Sequence, residues 1–330
     1  MRYPFIENST RSERFGGATT LNERDRDLND HAINDHAIDV ATEAFTEHRD
    51  LLFTVAYEML GSASDAEDVL QETWLRWVKV DLGQVRNQRA YLVRIATRQA
   101  LNRLRTIKRR REEYVGPWLP EPLITAPDVT EDVELAESVS MALMIVLETL
   151  SPVERAVFVL RDAFDVTYEE IAAIVDKTPT AVRQIAHRAR LHVDARRPRQ
   201  VVSPAEARRA LELFRRALES GNPQDLINVL APDVVLVSDG GGVKQAALRP
   251  IIGAQRVVGV FVHGLPKIEG ALTGEHTVVN GNPALLMRLD GKIDGVLAVR
   301  VENGRITGLY YVRNPEKLTR IASMTSLTLA

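Results

Sequence analysis

Apolar positions recur at helical spacing through the first part of the chain and in short strand-like runs towards its end. From Ala41 to Gly61, Phe45, Leu52, Val55, Ala56 and Met59 line one side of a predicted helix that Gly61 ends. Ser64 and Glu67 have capping-box spacing, and Ala66, Val69, Leu70, Thr73, Trp74 and Trp77 form the buried stripe of the helix they open. Val80 to Asn87 carries no stripe and reads as a loop, after which Leu92, Ile95, Ala96, Leu101 and Leu104 predict a long helix. Another helix is expected from about Glu131 to Leu150, and Ser151-Pro152-Val153-Glu154 opens one through Arg161. Thr167 and Glu170 form a further capping box ahead of Ile171, Ile174 and Val175. Asp176 and Lys177 suit a turn, Thr178 can cap, and Pro179 fits a first helical position. Val182, Ile185, Ala186 and Ala189 then recur at i, i+3, i+4 and i+7, so Thr167 to His192 reads as a helix-turn-helix.

After a second linker at Pro198 to Pro204 the pattern changes class. One helix, Pro204 to Ser220, precedes apolar runs at Val234–Val237, Val278–Val279, Ala284–Leu289, Gly295–Val301 and Ile306–Val312, with a short helix at Gln255 to Phe261. Asn303-Gly304 between the last two runs is a strong hairpin signal. The expectation is a multidomain chain: two all-α domains, then an α+β domain with a concave face. The predicted boundaries are 41–111, a proline-rich linker 112–137, 138–197 and 204–330, preceded by a mostly disordered extension, 1–40. That extension holds an echo, Asn29-Asp30-His31-Ala32-Ile33 then Asn34-Asp35-His36-Ala37-Ile38, but His31 and His36 lack the further ligands of a metal site. Trp118-Leu119-Pro120-Glu121-Pro122 in the linker is too apolar for a solvated tether and is expected to pack on something.

Charge sharpens the picture locally, since the overall net charge is only -3. Asp65, Glu67, Asp68, Gln71 and Glu72 make one helix face acidic, which by itself is a solvated surface. Between Asp81 and Glu112 no acid occurs, while Arg86, Arg89, Arg94, Arg98, Arg103, Arg105 and Lys108 to Arg111 accumulate. Such a stripe suits phosphates, and Tyr91 and Asn102 can stack on or bond to bases of a single strand. On the second helix of the helix-turn-helix, Thr180, Arg183, Gln184 and His187 point outward, flanked by Arg188 and Arg190. These side chains can bond guanine and adenine edges in the major groove, so DNA recognition is expected. The absence of cysteine excludes disulfides and thiolate metal sites. No run approaches a membrane span and the N-terminus has no apolar signal core, so a cytoplasmic, soluble protein is expected.

Residues 41 to 197 resemble an extracytoplasmic-function sigma factor of bacterial RNA polymerase. The resemblance rests on Ser64-Asp65-Ala66-Glu67-Asp68-Val69-Leu70-Gln71-Glu72-Thr73, the basic helix, Leu150-Ser151-Pro152-Val153-Glu154-Arg155 and the helix-turn-helix. It implies that Asp68, Gln71 and Glu72 dock on the β′ clamp helices of core polymerase, with the β flap as a second contact. It implies that Arg86, Asn87, Arg89, Tyr91, Arg94, Arg98 and Asn102 hold the melted minus-10 strand. Thr180, Arg183, Gln184, His187, Arg188 and Arg190 would read the minus-35 duplex. The remainder is similar to sigma factors of the sigma-J type, which carry a SnoaL-like, NTF2-like C-terminal extension. Three signatures carry this: Trp118 to Pro122 (WLPEP), Asp239-Gly240-Gly241-Gly242 (DGGG) and Asn314-Pro315-Glu316-Lys317-Leu318 (NPEKL). Val243 stands where that pattern has lysine, with Lys244 following, and Glu316 stands where aspartate is usual. The resemblance implies that the extension touches the sigma domains and modulates transcription, and that it could hold a small-molecule ligand. Two alternatives remain: a helix-turn-helix regulator sensing a small ligand, and a SnoaL-like isomerase or cyclase using Asp239, Asp290 or His263. Asp239 beside three glycines is more readily a turn residue, and no catalytic residue, cofactor or metal is expected.

Overall fold

The computed structural model describes residues 38–126, 133–196, 202–264 and 272–329. Most of the expected extension, with its histidine echo, lies outside the described residues, as do parts of both linkers. Residues 38–47 are helical and fall in a unit of their own, while His48–Ala330 form one compact unit.

That unit begins with α1 (Arg49–Leu60), α2 (Ala63–Trp77), a 3-10 turn (Leu82–Gln84) and α3 (Gln88–Glu112). Every α1 residue from Leu51 to Leu60 is buried, so α1 is the central helix rather than an amphipathic surface one. Gly61 ends it in the left-handed region (φ 68°), where a Cβ would be strained. Ser62, not Ser64, caps α2, accepting from the Asp65 N–H at 3.2 Å. The chain leaves the left-handed glycine directly into extended Ser62, so the helix starts one turn-step earlier than the Ser64/Glu67 spacing suggests, and Glu67 turns to Arg49 instead.

Next come α4 (Val133–Ser138), α5 (Met141–Leu147), α6 (Pro152–Phe158) with a wide π-type turn (Val159–Ala163), α7 (Tyr168–Val175) and α8 (Pro179–Asp194). The single helix expected from Glu131 to Leu150 is divided, because Ser140 caps α5 (Leu143 N–H to Oγ, 3.2 Å) and Ser138 is drawn to Glu58. The capping boxes at Ser151/Glu154 and Thr167/Glu170 both form.

The last region holds α9 (Pro204–Ser220), α10 (Pro223–Val229), β2 (Leu230–Asp239), β3 (Ile251–Ile252), α11 (Ala254–Gly259), β4 (Leu272–Val279), β5 (Asn282–Leu289), β6 (Lys292–Glu302), β7 (Arg305–Val312) and β8 (Met324–Thr325). The sheet order is β3-β2-β7-β6-β5-β4-β1-β8, and β1 is Ile124–Thr125 of the linker, antiparallel to β4 and parallel to β8. Asn303 and Gly304, at φ 52° and 71°, close the β6–β7 hairpin as their sequence demands. Phe214, Leu226, Val257 and Phe261 cover one sheet face through Leu285, Leu297 and Leu309. The other face, through Ala284, Val296, Tyr310 and Val312, packs on Leu119 of the linker and Met141 of α5. The sheet is therefore buried on both sides, once by its own helices and once by the segments that precede it.

Candidate nucleic-acid interface and the linker that braces it

On α2, Asp68, Gln71 and Glu72 are exposed, as a docking face requires. The face is not bare of cations: Arg103 of α3 bonds Asp65 at 2.6 Å and Asp68, and lies 4.0 Å from Glu72. Arg320, from the end of the chain, meets Glu67 at 3.1 Å. With Arg49 of α1 on Glu67, three cations from elsewhere thus lean on this acidic surface, and Arg103 belongs with it rather than with the phosphate stripe.

The loop before α3 and the first turns of that helix gather Arg86, Asn87, Arg89, Tyr91 and Arg94. Asn87 Oδ1 caps α3, accepting from the Ala90 N–H at 2.9 Å, which leaves its amide hydrogens for another partner. The Tyr91 ring lies 5.8 Å from the Trp77 ring, with the Arg94 guanidinium 4.4 Å over it, so an aromatic-cationic platform is already assembled. Asn102 is exposed on the same helix. The side chains of residues 108–112 lie outside the described residues. Arg98 departs from the expected pattern. Its guanidinium donates to Ala173 O at 2.7 Å and Ile174 O at 3.3 Å and meets Asp176, closing the carbonyl end of α7. In this arrangement it joins two helical domains instead of facing a phosphate.

On α8, Thr180, Arg183, Gln184, His187 and Arg188 are exposed while Val182, Ile185, Ala186 and Ala189 are buried, as the periodicity requires. The outer face is not free of acids, however. Glu169 of α7 reaches Arg183 at 2.8 Å, and Asp162 holds Arg190 at 2.6 Å with Arg190 half-buried. Helix periodicity describes one helix and is blind to carboxylates delivered by its neighbours.

The linker is held by an alternating device. Pro120 and Pro122 have no N–H, and each intervening amide has a defined acceptor: Leu119 donates to Asp239 Oδ2 at 2.9 Å, Glu121 to Gly61 O at 2.9 Å, and Leu123 to Asn280 Oδ1 at 2.9 Å. The Glu121 carboxylate occupies the start of α2, accepting from the Ala63 N–H at 2.8 Å, where the helix dipole favours an anion. Asn280, at φ 53°, donates to Tyr57 Oη at 2.7 Å and Val139 O at 2.8 Å, so one amide joins α1, the α4–α5 turn, the linker and the sheet.

Asp239 is the hub. It is fully buried at the end of β2 and accepts from Tyr114 Oη at 2.6 Å, Leu119 N–H, Lys317 Nζ at 2.7 Å and Gly241 N–H at 3.0 Å. Asp239 keeps the turn role expected of it through the bond from the Gly241 N–H, and in addition it anchors the linker. Lys317 Nζ also donates to Leu119 O at 2.6 Å and stands 4.0 Å over the Trp118 ring. Asn314 Nδ2 donates to Tyr114 Oη at 2.8 Å, and its Oδ1 caps the Pro315–Leu318 turn that carries Glu316. Burial, with Asp239 beside it, pushes the Tyr114 phenol well above its ordinary value, so it remains a donor. The three sequence signatures therefore meet at one point. The displaced lysine, Lys244, does not reach that point but meets Asp294 at 3.1 Å. A Cβ on Gly241 would lie 2.4 Å from Asn314 Cγ, and its φ is 62°. Gly241→Ala is accordingly expected to cost about 1–3 kcal/mol, read as a lower urea midpoint with unchanged m-value.

A second buried cluster, not visible in the spacing of the sequence, joins the two helical domains. Ser138 Oγ donates to Glu58 Oε1 at 2.8 Å; Arg155 Nε donates to Glu58 O at 2.9 Å, and Arg155 also pairs with Glu148. Burial pushes the Glu58 carboxyl up to about 8. The folded chain then keeps a proton that an unfolded chain releases near pH 4.5, so this group's contribution makes stability fall as pH rises from there to about 8. Glu58→Gln is expected to flatten the decline, and identical pH profiles of the urea midpoint for the two chains would refute this assignment.

Among the described residues, Asp239 and Asp290, two of the candidates for catalysis, are not brought together. Asp239 is saturated by the hub, Asp290 is exposed in the β5–β6 turn at φ 48°, and the His263 side chain lies outside the described residues.

Residues 44–111 match Sigma-70 region 2, and residues 140–193 match Sigma-70, region 4. The chain is 35% identical over 294 residues to the ECF RNA polymerase sigma factor SigJ of Mycobacterium tuberculosis (strain ATCC 25618 / H37Rv), covering 84% of this chain and 92% of that protein. It is 30% identical over 283 residues to the probable sigma factor SigI of the same strain, covering 85% and 95%. The crystal structure of Mycobacterium tuberculosis SigJ matches with a TM-score of 0.68 and 32% identity, covering 84% of this chain and 98% of that one. The fold is thus two helical sigma domains followed by an α+β domain, and no helix among the described residues is long and apolar enough to cross a membrane. With an acidic helix, a basic helix and a helix-turn-helix in this order, and with such likeness over most of its length, the chain belongs to the extracytoplasmic-function sigma factors, which bind core RNA polymerase and promoter DNA.

Proposed function

We propose that this sigma factor is held closed by its own C-terminal domain and opens on core polymerase to start transcription. In the open state Asp68, Gln71 and Glu72 dock on the β′ clamp helices, and the α7–α8 unit sits at the β flap. The Arg86 to Arg94 platform, with Asn102, takes the melted minus-10 strand, and α8 reads the minus-35 duplex.

The observation that carries the restraint is the bond from Arg98 to Ala173 O, 2.7 Å long, between the helix assigned to minus-10 and the helix-turn-helix. Promoter elements about 25 base pairs apart are separated by roughly 85 Å of duplex at ~3.4 Å per pair, a span these adjoining helices cannot cover together. The linker hub resists their separation, because opening exposes Lys317, Tyr114 and Asp239 that are mutually satisfied when closed.

Run-off transcription with core polymerase and the full chain tests the reading. Arg183→Ala or Gln184→Ala is expected to cost about 1–3 kcal/mol of promoter affinity each and to relax preference at one minus-35 position. A variant set that leaves promoter choice untouched would count against α8 as the reader.

A further inference from the structure

The C-terminal domain contains a cavity of about 220 Å³ between β2, β7, the 245–247 loop and the turn after α11. Leu236, Ile251, Val260 and Phe261 make its wall largely apolar. Gln245, Tyr311 and Arg313 also line it, and Ser238 adds a buried hydroxyl: it is 6% exposed, and its Oγ accepts from the Ala247 N–H at 2.9 Å. Among the described residues its hydroxyl hydrogen has no acceptor, which leaves one donor for whatever occupies the cavity.

Among the described residues the cavity offers no spare charge. Arg313 lines it but spends Nε and Nη2 on the buried Asp294, at 2.8 and 3.0 Å, and Nη1 on Gln245 O. Tyr311 donates to the same Asp294 at 2.7 Å. A charged ligand entering here finds no free partner of opposite sign among the described residues. A dry cavity of ~150 Å³ accepts benzene, which sets the size of occupant for this one at one or two rings.

We infer that this cavity binds a small neutral carbonyl compound with an apolar body, its oxygen accepting from Ser238, and that the bound molecule tightens the linker hub. The route is short. Side chains alternate along a strand, so Ser238 of β2 lies on the cavity face and Asp239 on the linker face; just past β7, Arg313 lines the cavity and Asn314 reaches Tyr114 of the linker. The Arg313 and Asn314 N–H groups both donate to Asp239 O, at 2.7 and 2.9 Å. Fixing Ser238 and Arg313 therefore fixes the backbone that positions the Asp239 carboxylate. The site stands independently of the restraint proposed above; its effect on transcription rests on that restraint.

The full chain is titrated with acetophenone and with ethylbenzene, which match in size and differ in the carbonyl, followed by ligand-observed NMR and by hydrogen exchange at the Leu119 amide. Acetophenone is expected to bind about five-fold more tightly, as one net hydrogen bond implies. It should also slow Leu119 exchange. Ser238→Ala should remove the preference, and Ser238→Thr, which keeps the donor, should retain it. Equal binding of the two probes, no binding of either, or unchanged Leu119 exchange with acetophenone bound would each overturn the inference. Binding and slowed exchange without any change in run-off transcription would leave the site intact and overturn the restraint instead.

Discussion

Asp239→Ala is expected to lower the stability of the chain by about 3–5 kcal/mol, the range for removing one partner of a buried charge pair. The loss is large because four donors lose one acceptor: the Lys317 ammonium, the Tyr114 hydroxyl and the Leu119 and Gly241 amides. Asp239→Asn should lose less, since the amide oxygen still accepts from Leu119 while the charge opposite Lys317 disappears. The measurement is urea unfolding of both variants at equal m-value, and a loss below about 1 kcal/mol for Asp239→Ala would show the hub to be incidental. On the proposed restraint both variants also initiate more readily from a cognate promoter, because the linker no longer ties the C-terminal domain to the helical ones.

Arg155→Met is expected to have the second largest effect, about 2–4 kcal/mol. Arg155 is 1% exposed and holds Glu58 O and the Glu148 carboxylate. Methionine fills much of the same space but leaves both acceptors without their donor. Glu148 is only partly exposed, at 19% of its side chain, so its charge is poorly solvated once Arg155 is gone. Adding Glu148→Gln to Arg155→Met should recover part of the loss. A double-mutant cycle with no coupling between the two positions would remove Arg155 from its role as the joint between helical domains.

What could be read from the sequence follows the range of each interaction. Caps and turns act within a few residues, so Thr167/Glu170, Ser151/Glu154, Pro179 and Asn303-Gly304 were legible and formed as read. The α8 stripe was legible because helical periodicity is local, but the carboxylates of Glu169 and Asp162 arrive from other elements and leave no trace in that stripe. The WLPEP, DGGG and NPEKL segments could be recognised as signatures, yet the atoms that join them could not. Leu119 and Asp239 are 120 residues apart, and Asn280 and Tyr57 are 223 apart. Asn280 and Gly281 close the β4–β5 hairpin at φ 53° and 68°, and the Asn280 amide is also a structural joint. Strand β1 has only Ile124 and Thr125, too few residues for any period to register. The buried Glu58 was likewise hidden, since an acid inside an apolar helix pattern gives no hint of the Ser138 and Arg155 partners that accommodate it.

On the proposed restraint, the two promoter-reading domains are packed together in the free chain and part on core polymerase. The chain has no native cysteine, so a pair introduced at exposed Gln84 and Ala195 can be labelled without background and away from the reading face of α8. Energy transfer between the labels should report one short distance in the free chain and a much longer one, on the scale of the roughly 85 Å between promoter elements, once core polymerase and promoter are added. Asp239→Ala should shift part of the free population toward the long distance. A transcriptionally active complex that retains the short distance would contradict the account.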